Sequence, residues 1–215
     1  MKENMKKYLV IMGCFAALMV SIVGGQRYFD EEVYCNVRLQ HGISVARITD
    51  KSLEQLVIWE EQRDISFHNP MLEKRCSGEC LYIVGKLEKM QKWNILDGTL
   101  NLDEEGVLVT SEVAQELYHS NHVVGQKLEC MNNIYEIRGV VQEERNRVYL
   151  LAAKLNLNTG KYEWTQAAKN QDFVLPLVGF SIDRKKILFK KMEEILAFQL
   201  EKNGYPEIDV ISYPR

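Results

Sequence analysis

The N-terminal segment from Tyr8 to Gly25 constrains this chain more than any other feature, because it is apolar and contains no charged residue. As a helix rising about 1.5 Å per residue it would reach about 27 Å, close to the ~30 Å hydrocarbon core of a bilayer. The segment therefore predicts a transmembrane anchor, and the rest of the chain must fold on one side of a membrane.

The charges on either side of this segment predict its orientation. Lysines at positions 2, 6 and 7 precede it, and an acidic run at 30–32 follows it. Under the positive-inside rule, residues 1–7 are cytoplasmic, 8–25 form a single-pass anchor in the cell membrane, and the remainder is extracytoplasmic. Two alternatives stay open, namely a cleaved signal peptide and a lipoprotein whose lipid acceptor is Cys14.

Small residues recur along the predicted anchor at Gly13, Ala17 and Ser21. This spacing places them on one face of a helix, where a neighbouring membrane helix can approach closely. The pattern indicates a possible helix-docking face, although such stripes also arise by chance in membrane helices.

Composition argues against nucleic-acid binding, and a missing motif argues against nucleotide hydrolysis by this chain. The chain has 215 residues, 46% of them apolar, and a formal net charge of -3, so it has a core-forming composition and no basic field for nucleic acid. It also lacks the G-x-x-x-x-G-K-[ST] motif that cradles nucleotide phosphates, and any ATP hydrolysis must therefore belong to a partner.

The cysteines permit disulfides if the domain is exported. Cys76 and Cys80 stand in RCSGEC, whose central residues are typical of a turn, so the pattern indicates a possible short-range disulfide. Two reduced thiols or half of a zinc site remain open as alternatives. Cys35 and Cys130 would then pair or stay buried, and Cys130 alternates with Leu128 as a buried strand residue would.

Strand and helix patterns alternate without the regular rhythm of a doubly wound sheet, which predicts the α+β class. The apolar spacing predicts a helix over 50–61, a short helix capped by Ser111 and a long helix over 183–203. A two-residue hairpin turn is expected at Asn132-Asn133. Another hairpin is expected around residues 158–160. Pro176 should place the strand that contains it near an edge of the sheet. Further strands are predicted in CLYIVGKL, VLVTS, DFVLPLVGF and EIDVIS.

The stretches VLVTSEVAQELY and VVGQKLECMNNIYEIRGVV resemble the MacB-like periplasmic core domain of ABC transporter permeases, in the FtsX-like permease family. That family shows a strand, a helix headed by serine, a V/I-G-K/Q step and a hairpin ending in Y-x-I-x-G-V. The flanking pieces YIVG, ILDGT and FVLPL also follow in family order, so the resemblance covers roughly residues 33–215.

The resemblance implies a non-catalytic extracytoplasmic module of, or accessory to, an ABC-type permease system. Its implied partners are an ABC permease subunit and, through it, a cytoplasmic ATPase. The sequence departs from the family at Thr99, where arginine is common. It also ends at Arg215, where family members continue into further membrane helices, so we expect either a fragment or a stand-alone relative with one anchor.

The sequence offers little support for a catalytic role of any residue. His119 and His122 form an HxxH pattern, but their position after Tyr118 in a polar turn is typical of a solvated helix end. Ser111 lies in TSE rather than in a nucleophile elbow, so an N-cap is the simpler interpretation. No catalytic, cofactor-binding or metal residues are predicted. The alternative function is a membrane-anchored ligand-binding or adaptor protein unconnected with an ABC transporter.

Overall fold

The computed structural model describes residues 32–43, 48, 53, 56–168, 175–183, 201–202 and 210–212. The chain divides into two compact units, and the fold below is that of the larger one, Tyr34–Ser181 with Leu200–Arg215. The predicted anchor at 8–25, with Gly13, Ala17 and Ser21, lies outside the described residues.

Strands dominate the described part of the chain, in which one α-helix is described over its whole length, α1 (Ser111–Tyr118), together with a 3-10 turn at Leu87–Lys89. The strands are β1 (Glu32–Ile43), β2 (Val57–Asn69), β3 (Lys74–Gly85), β4 (Ile95–Gly98), β5 (Gly106–Thr110), β6 (Lys127–Cys130), β7 (Asn133–Val141), β8 (Arg147–Leu151), β9 (Ala153–Asn156), β10 (Lys161–Trp164), β11 (Leu175–Asp183) and β12 (Val210–Ser212).

Six strands close into a barrel. The main sheet runs β12-β1-β11-β2-β3-β8-β5-β7-β4, and β6 joins it by pairing with both β2 and β7. The ring is therefore β2-β3-β8-β5-β7-β6, with β3–β8 and β5–β7 parallel and its other pairs antiparallel. Closure gives each of these six strands a paired neighbour on both sides, which reduces the exposed edge that an open sheet would have.

Alternation along the ring divides the apolar residues between two cores. Residues that are directly opposite one another on paired strands lie on the same face of the sheet. The face toward the barrel interior carries Phe67, Cys80, Tyr82 and Cys130. The opposite face carries a second core, covered by the segment after β3. That outer core consists of Val57, Trp59, Leu81, Ile83, Leu87, Met90, Leu108, Val141, Tyr149 and Leu177, with Trp93, Leu100 and Leu102 packed against it.

The hairpin prediction for residues 127–141 is confirmed, with its turn one residue earlier than expected. Cys130 pairs with Asn133, so the turn residues are Met131 and Asn132. Their φ angles are 49° and 63°, both positive as a type I′ turn requires. The β9–β10 hairpin also forms, with Lys161 opposite Asn156.

One sequence expectation about secondary structure needs correction. The helix predicted over 50–61 is wrong in its second half, since Leu53 is helical but β2 begins at Val57. The strand predicted in DFVLPLVGF is present from Leu175 as β11, third from the β12 end of the sheet and so near an edge as expected, and its pairs with β2 begin at Leu177, after Pro176. Of the helix predicted over 183–203, most lies outside the described residues.

Candidate functional site

A cluster of sulfur atoms and phenols fills part of the barrel interior. Cys80 and Cys130 are fully buried, and their thiols lie close to one another. The Tyr82 hydroxyl donates to the Met131 thioether over 3.1 Å. Tyr135 lies close to both thiols, and burial raises its pKa to about 12. Its buried hydroxyl makes no hydrogen bond of standard geometry.

The disulfide expected between Cys76 and Cys80 is not formed, and Cys76, Cys80 and Cys130 are free thiols. The RCSGEC stretch is part of strand β3 rather than a turn. A rise of about 3.3 Å per residue puts the two Cα atoms about 13 Å apart, whereas a disulfide needs less than about 7 Å. Turn-forming residue types were overridden here by pairing with both neighbouring strands.

Ser111 is the first residue of α1 and not its N-cap, which is Thr110. The Ser111 hydroxyl instead donates to the Glu143 carbonyl over 3.1 Å, and the Glu143 amide lies 3.3 Å from the same oxygen. It therefore ties the start of α1 to the β7–β8 connection, and the expected role as a cap is corrected to that of a tether.

The two HxxH histidines have different surroundings. His119 ends α1 in a left-handed conformation, φ 58°, and its ring contacts the Lys74 ammonium. His122 is 85% exposed and lies 3.8 Å from an Asp97 carboxylate oxygen. Among the residues that the structure describes, no group of three or more His, Cys, Asp or Glu side chains could hold a metal ion.

An ion-pair network that the sequence did not indicate lies on the outside of the barrel. Arg147 donates to Glu79 over 2.5 Å and also to Glu143, and a Glu61 oxygen lies 3.9 Å from its guanidinium. Tyr149 donates to the second Glu143 oxygen over 2.5 Å. One guanidinium thus holds carboxylates from β2, β3 and the β7–β8 connection, and only their pairing in three dimensions reveals the cluster.

A polar cavity of about 300 Å³ opens beside the β2–β6 pairing. Within it His68 Nδ1 lies 2.8 Å from a Glu129 oxygen, and the two residues are direct strand partners. The backbone bulges at Asp64, where φ is 59°. The polar lining comes from Asp64, Ser66, His68, Arg75, Glu129 and Asn132.

The turn between β2 and β3 presents two apolar side chains to solvent. Met71 is 76% exposed and Leu72 is 54% exposed. Their amides donate to the Asn69 side-chain oxygen over 2.9 and 3.2 Å, and the Asn69 amide donates to the Leu117 carbonyl over 3.1 Å. Because Asn69 is buried and fixes the turn to α1, the exposed pair has a defined position.

Alkaline pH is expected to destabilise the barrel. Burial raises the pKa of Cys76 to about 12 and that of Cys80 well above its ordinary value. Unfolded thiols ionise near pH ~8.5, so above that pH the unfolded chain loses protons that the folded barrel keeps, and stability falls. The urea midpoint, measured with reductant, should be lower at about pH 9.5 than at about pH 7.5.

Cys76→Ala is the matched comparison for this experiment, because it removes one buried thiol whose pKa is raised. Its urea midpoint should depend less on pH than that of the wild type. A wild-type midpoint that stays constant between the two pH values would contradict the burial of these thiols.

Across the described residues, no helix combines the length and apolar character needed to cross a bilayer. No family model matches the chain, and no curated protein matches it either. Its fold, however, is found among solved structures that share little sequence identity with it.

The described fold is that of the extracytoplasmic domains of ABC transporter permeases. The extracellular domain of the ABC-type transporter YknZ from Gram-positive bacteria superposes with a TM-score of 0.51 and 14% identity, over 82% of this chain and 100% of that one. The periplasmic region of MacB from Actinobacillus actinomycetemcomitans gives 0.53 and 8%, over 83% and 88%. A domain of a protein described as a permease from Porphyromonas gingivalis gives 0.53 and 12%, over 84% and 89%. The MacB-like resemblance is thus confirmed at the level of the fold.

Proposed function

We propose that this chain is a non-catalytic extracytoplasmic module of, or accessory to, an ABC-type permease system. The observation that carries the proposal is the shared fold, which extends over 82–84% of the chain in the three transporter domains. An ABC permease subunit and, through it, a cytoplasmic ATPase are the proposed partners. Residues 8–25 supply a single membrane anchor with the N-terminus in the cytoplasm.

The described side chains support a binding role better than a catalytic one. Ser111 is engaged by the Glu143 backbone, and His122 lies at the solvent-exposed surface. By contrast, the turn holding Met71 and Leu72 offers an apolar contact at a fixed position. We propose that this turn contributes to contact with the partner outside the membrane, while the small-residue stripe docks within it.

Membrane copurification tests the proposal. A permease subunit and an ATPase should copurify with the wild-type chain from detergent-solubilised native membranes. The double variant Gly13→Leu/Ala17→Leu should reduce their recovery several-fold, because bulky side chains keep neighbouring helices apart. The control Ala16→Leu adds similar bulk about 100° around the helix from Ala17 and should leave recovery unchanged.

The outcomes separate the partner from the docking face. If neither subunit copurifies with the wild type, the proposed function is wrong. If both copurify equally with the double variant, only the docking face at residues 13–21 is wrong. A membrane-impermeant label directed to Lys161, exposed on the β9–β10 hairpin, should react in intact cells if the domain is extracytoplasmic.

The charged cavity beside β2 and β6 favours a second candidate, a membrane-anchored ligand-binding or adaptor protein. Arg75, His68 and Glu129 could together recognise a small polar molecule in its 300 Å³. Replacing residues 8–25 by a cleavable export signal discriminates the two functions. A released domain that retains biological activity supports the binding protein, whereas loss of activity supports the transporter module.

A further inference from the structure

The barrel brings together two cysteines that are far apart in the sequence. Cys80 lies in β3, and Cys130 ends β6. Both strands pair with β2. Strand β3 lies along one edge of β2 and β6 lies along the other edge, where Cys130 is opposite Phe67. Both thiols are fully buried inside the ring and lie close to one another.

We propose that Cys80 and Cys130 are the site of an internal disulfide, formed by exchange with an organic or protein disulfide as the barrel folds. This inference goes beyond the proposed function and does not depend on any transporter partner. The bond would join β3 covalently to β6 and so lock the ring closed around β2.

The exchange is balanced in atoms and electrons. One cysteine loses its proton, and its thiolate attacks a sulfur of the oxidant, forming a mixed disulfide and releasing one thiol of the oxidant. The second cysteine then loses its proton and displaces the other oxidant thiol, which forms the Cys80–Cys130 bond. The protein is oxidised by two electrons, and the oxidant disulfide is reduced to two thiols.

The strand register argues against a disulfide between Cys76 and Cys130. Cys76 and Cys130 are both opposite Phe67, one on each side of β2, so their Cα atoms are two strand spacings apart, about 9.6 Å. The buried Phe67 side chain faces the interior between them. Cys76 is instead close to Glu116 of α1, which lies at a different part of the barrel.

The disulfide between Cys80 and Cys130 would form while the barrel folds and not after the ring has closed. A thiol must ionise and meet its oxidant to react. In the closed ring Cys80 is completely buried, and this burial raises its pKa, so both requirements fail. The thiols are accessible while β6 has not yet paired with β2, and closure of the ring then protects the product from reductants.

Disulfide mapping tests the inference. The full-length chain in detergent is unfolded, reduced, and refolded with a mixture of reduced and oxidised glutathione, after which free thiols are alkylated. Trypsin leaves Cys76 and Cys80 in one peptide, 76–86, and Cys130 in another, 128–138. Cleavage after glutamate then separates the first two cysteines at Glu79 and trims the second peptide to 130–136. We expect the peptide bearing Cys80, 80–86, to be linked to 130–136 in most of the refolded protein.

The matched variants are Cys76→Ser and Cys80→Ser, which alter two buried cysteines on the same face of β3. The link to 130–136 should persist in the first variant and disappear in the second. The inference is overturned if refolded wild type carries Cys80 and Cys130 mainly alkylated, or if either is linked mainly to Cys76 or Cys35. Because mapping of the wild type alone decides this, a variant that fails to fold does not weaken the test.

Discussion

Replacing Arg147 by methionine is expected to lower the free energy of unfolding by about 3 kcal/mol. The substitution leaves Glu79, Glu143 and Glu61 close together without the guanidinium that pairs them. The Arg147 and Glu79 side chains are only 15% and 21% exposed, so water replaces the lost partner poorly. The change is measured by urea unfolding of the full-length chain in detergent at neutral pH.

Arg63→Met is the matched control, because Arg63 contacts two of the same carboxylates from a side chain that is 74% exposed. Exposed ion pairs contribute at most about 1 kcal/mol, so this variant should differ little from the wild type. If the two variants lowered the free energy of unfolding equally, the burial of the Arg147 side chain would not contribute to stability.

Phe67→Ala is expected to destabilise the domain by about 3–5 kcal/mol. Phe67 is fully buried, and its strand neighbours are Cys76 on one side and Cys130 on the other. Truncating the ring removes contacts on both sides of β2 and leaves a cavity in the barrel interior. The same urea titration measures the loss, and Phe67→Leu should recover part of it.

Ile134→Ala provides the corresponding surface control. Ile134 lies in β7 opposite Glu129 and is 62% exposed, so its truncation should change the free energy of unfolding by less than about 0.5 kcal/mol. If Phe67→Ala were as mild as this control, Phe67 would not be part of a packed interior.

Local signals made part of this fold predictable from the sequence. The β6–β7 hairpin follows from alternating residues around two asparagines, and α1 follows from apolar spacing at Val113, Ala114 and Leu117, all of which are buried. Burial of Cys130 was likewise readable from its alternation with Leu128, since both side chains are fully buried. These features depend on neighbours within about ten residues, where sequence pattern is most informative.

The rest depends on pairings between distant segments. Residues 57–61 fit a helical pattern, yet they pair with β3 on one side and include the residues that pair with β11 on the other. The turn residues in RCSGEC gave the wrong geometry for Cys76 and Cys80 for the same reason. The contact of Cys80 with Cys130 and the Arg147 network follow only from ring closure, for which the sequence carries no local signal.

The ring of six strands is joined very unevenly. β2 and β3 share eleven residue pairs, whereas β2 and β6 share two, Phe67–Cys130 and His68–Glu129. Since opening a strand pair costs its hydrogen bonds and packing, fluctuations are easiest at the β2–β6 seam. The barrel should therefore open first between β2 and β6. A force that peels β6 from β2 would meet less resistance than a force that shears β2 against β3.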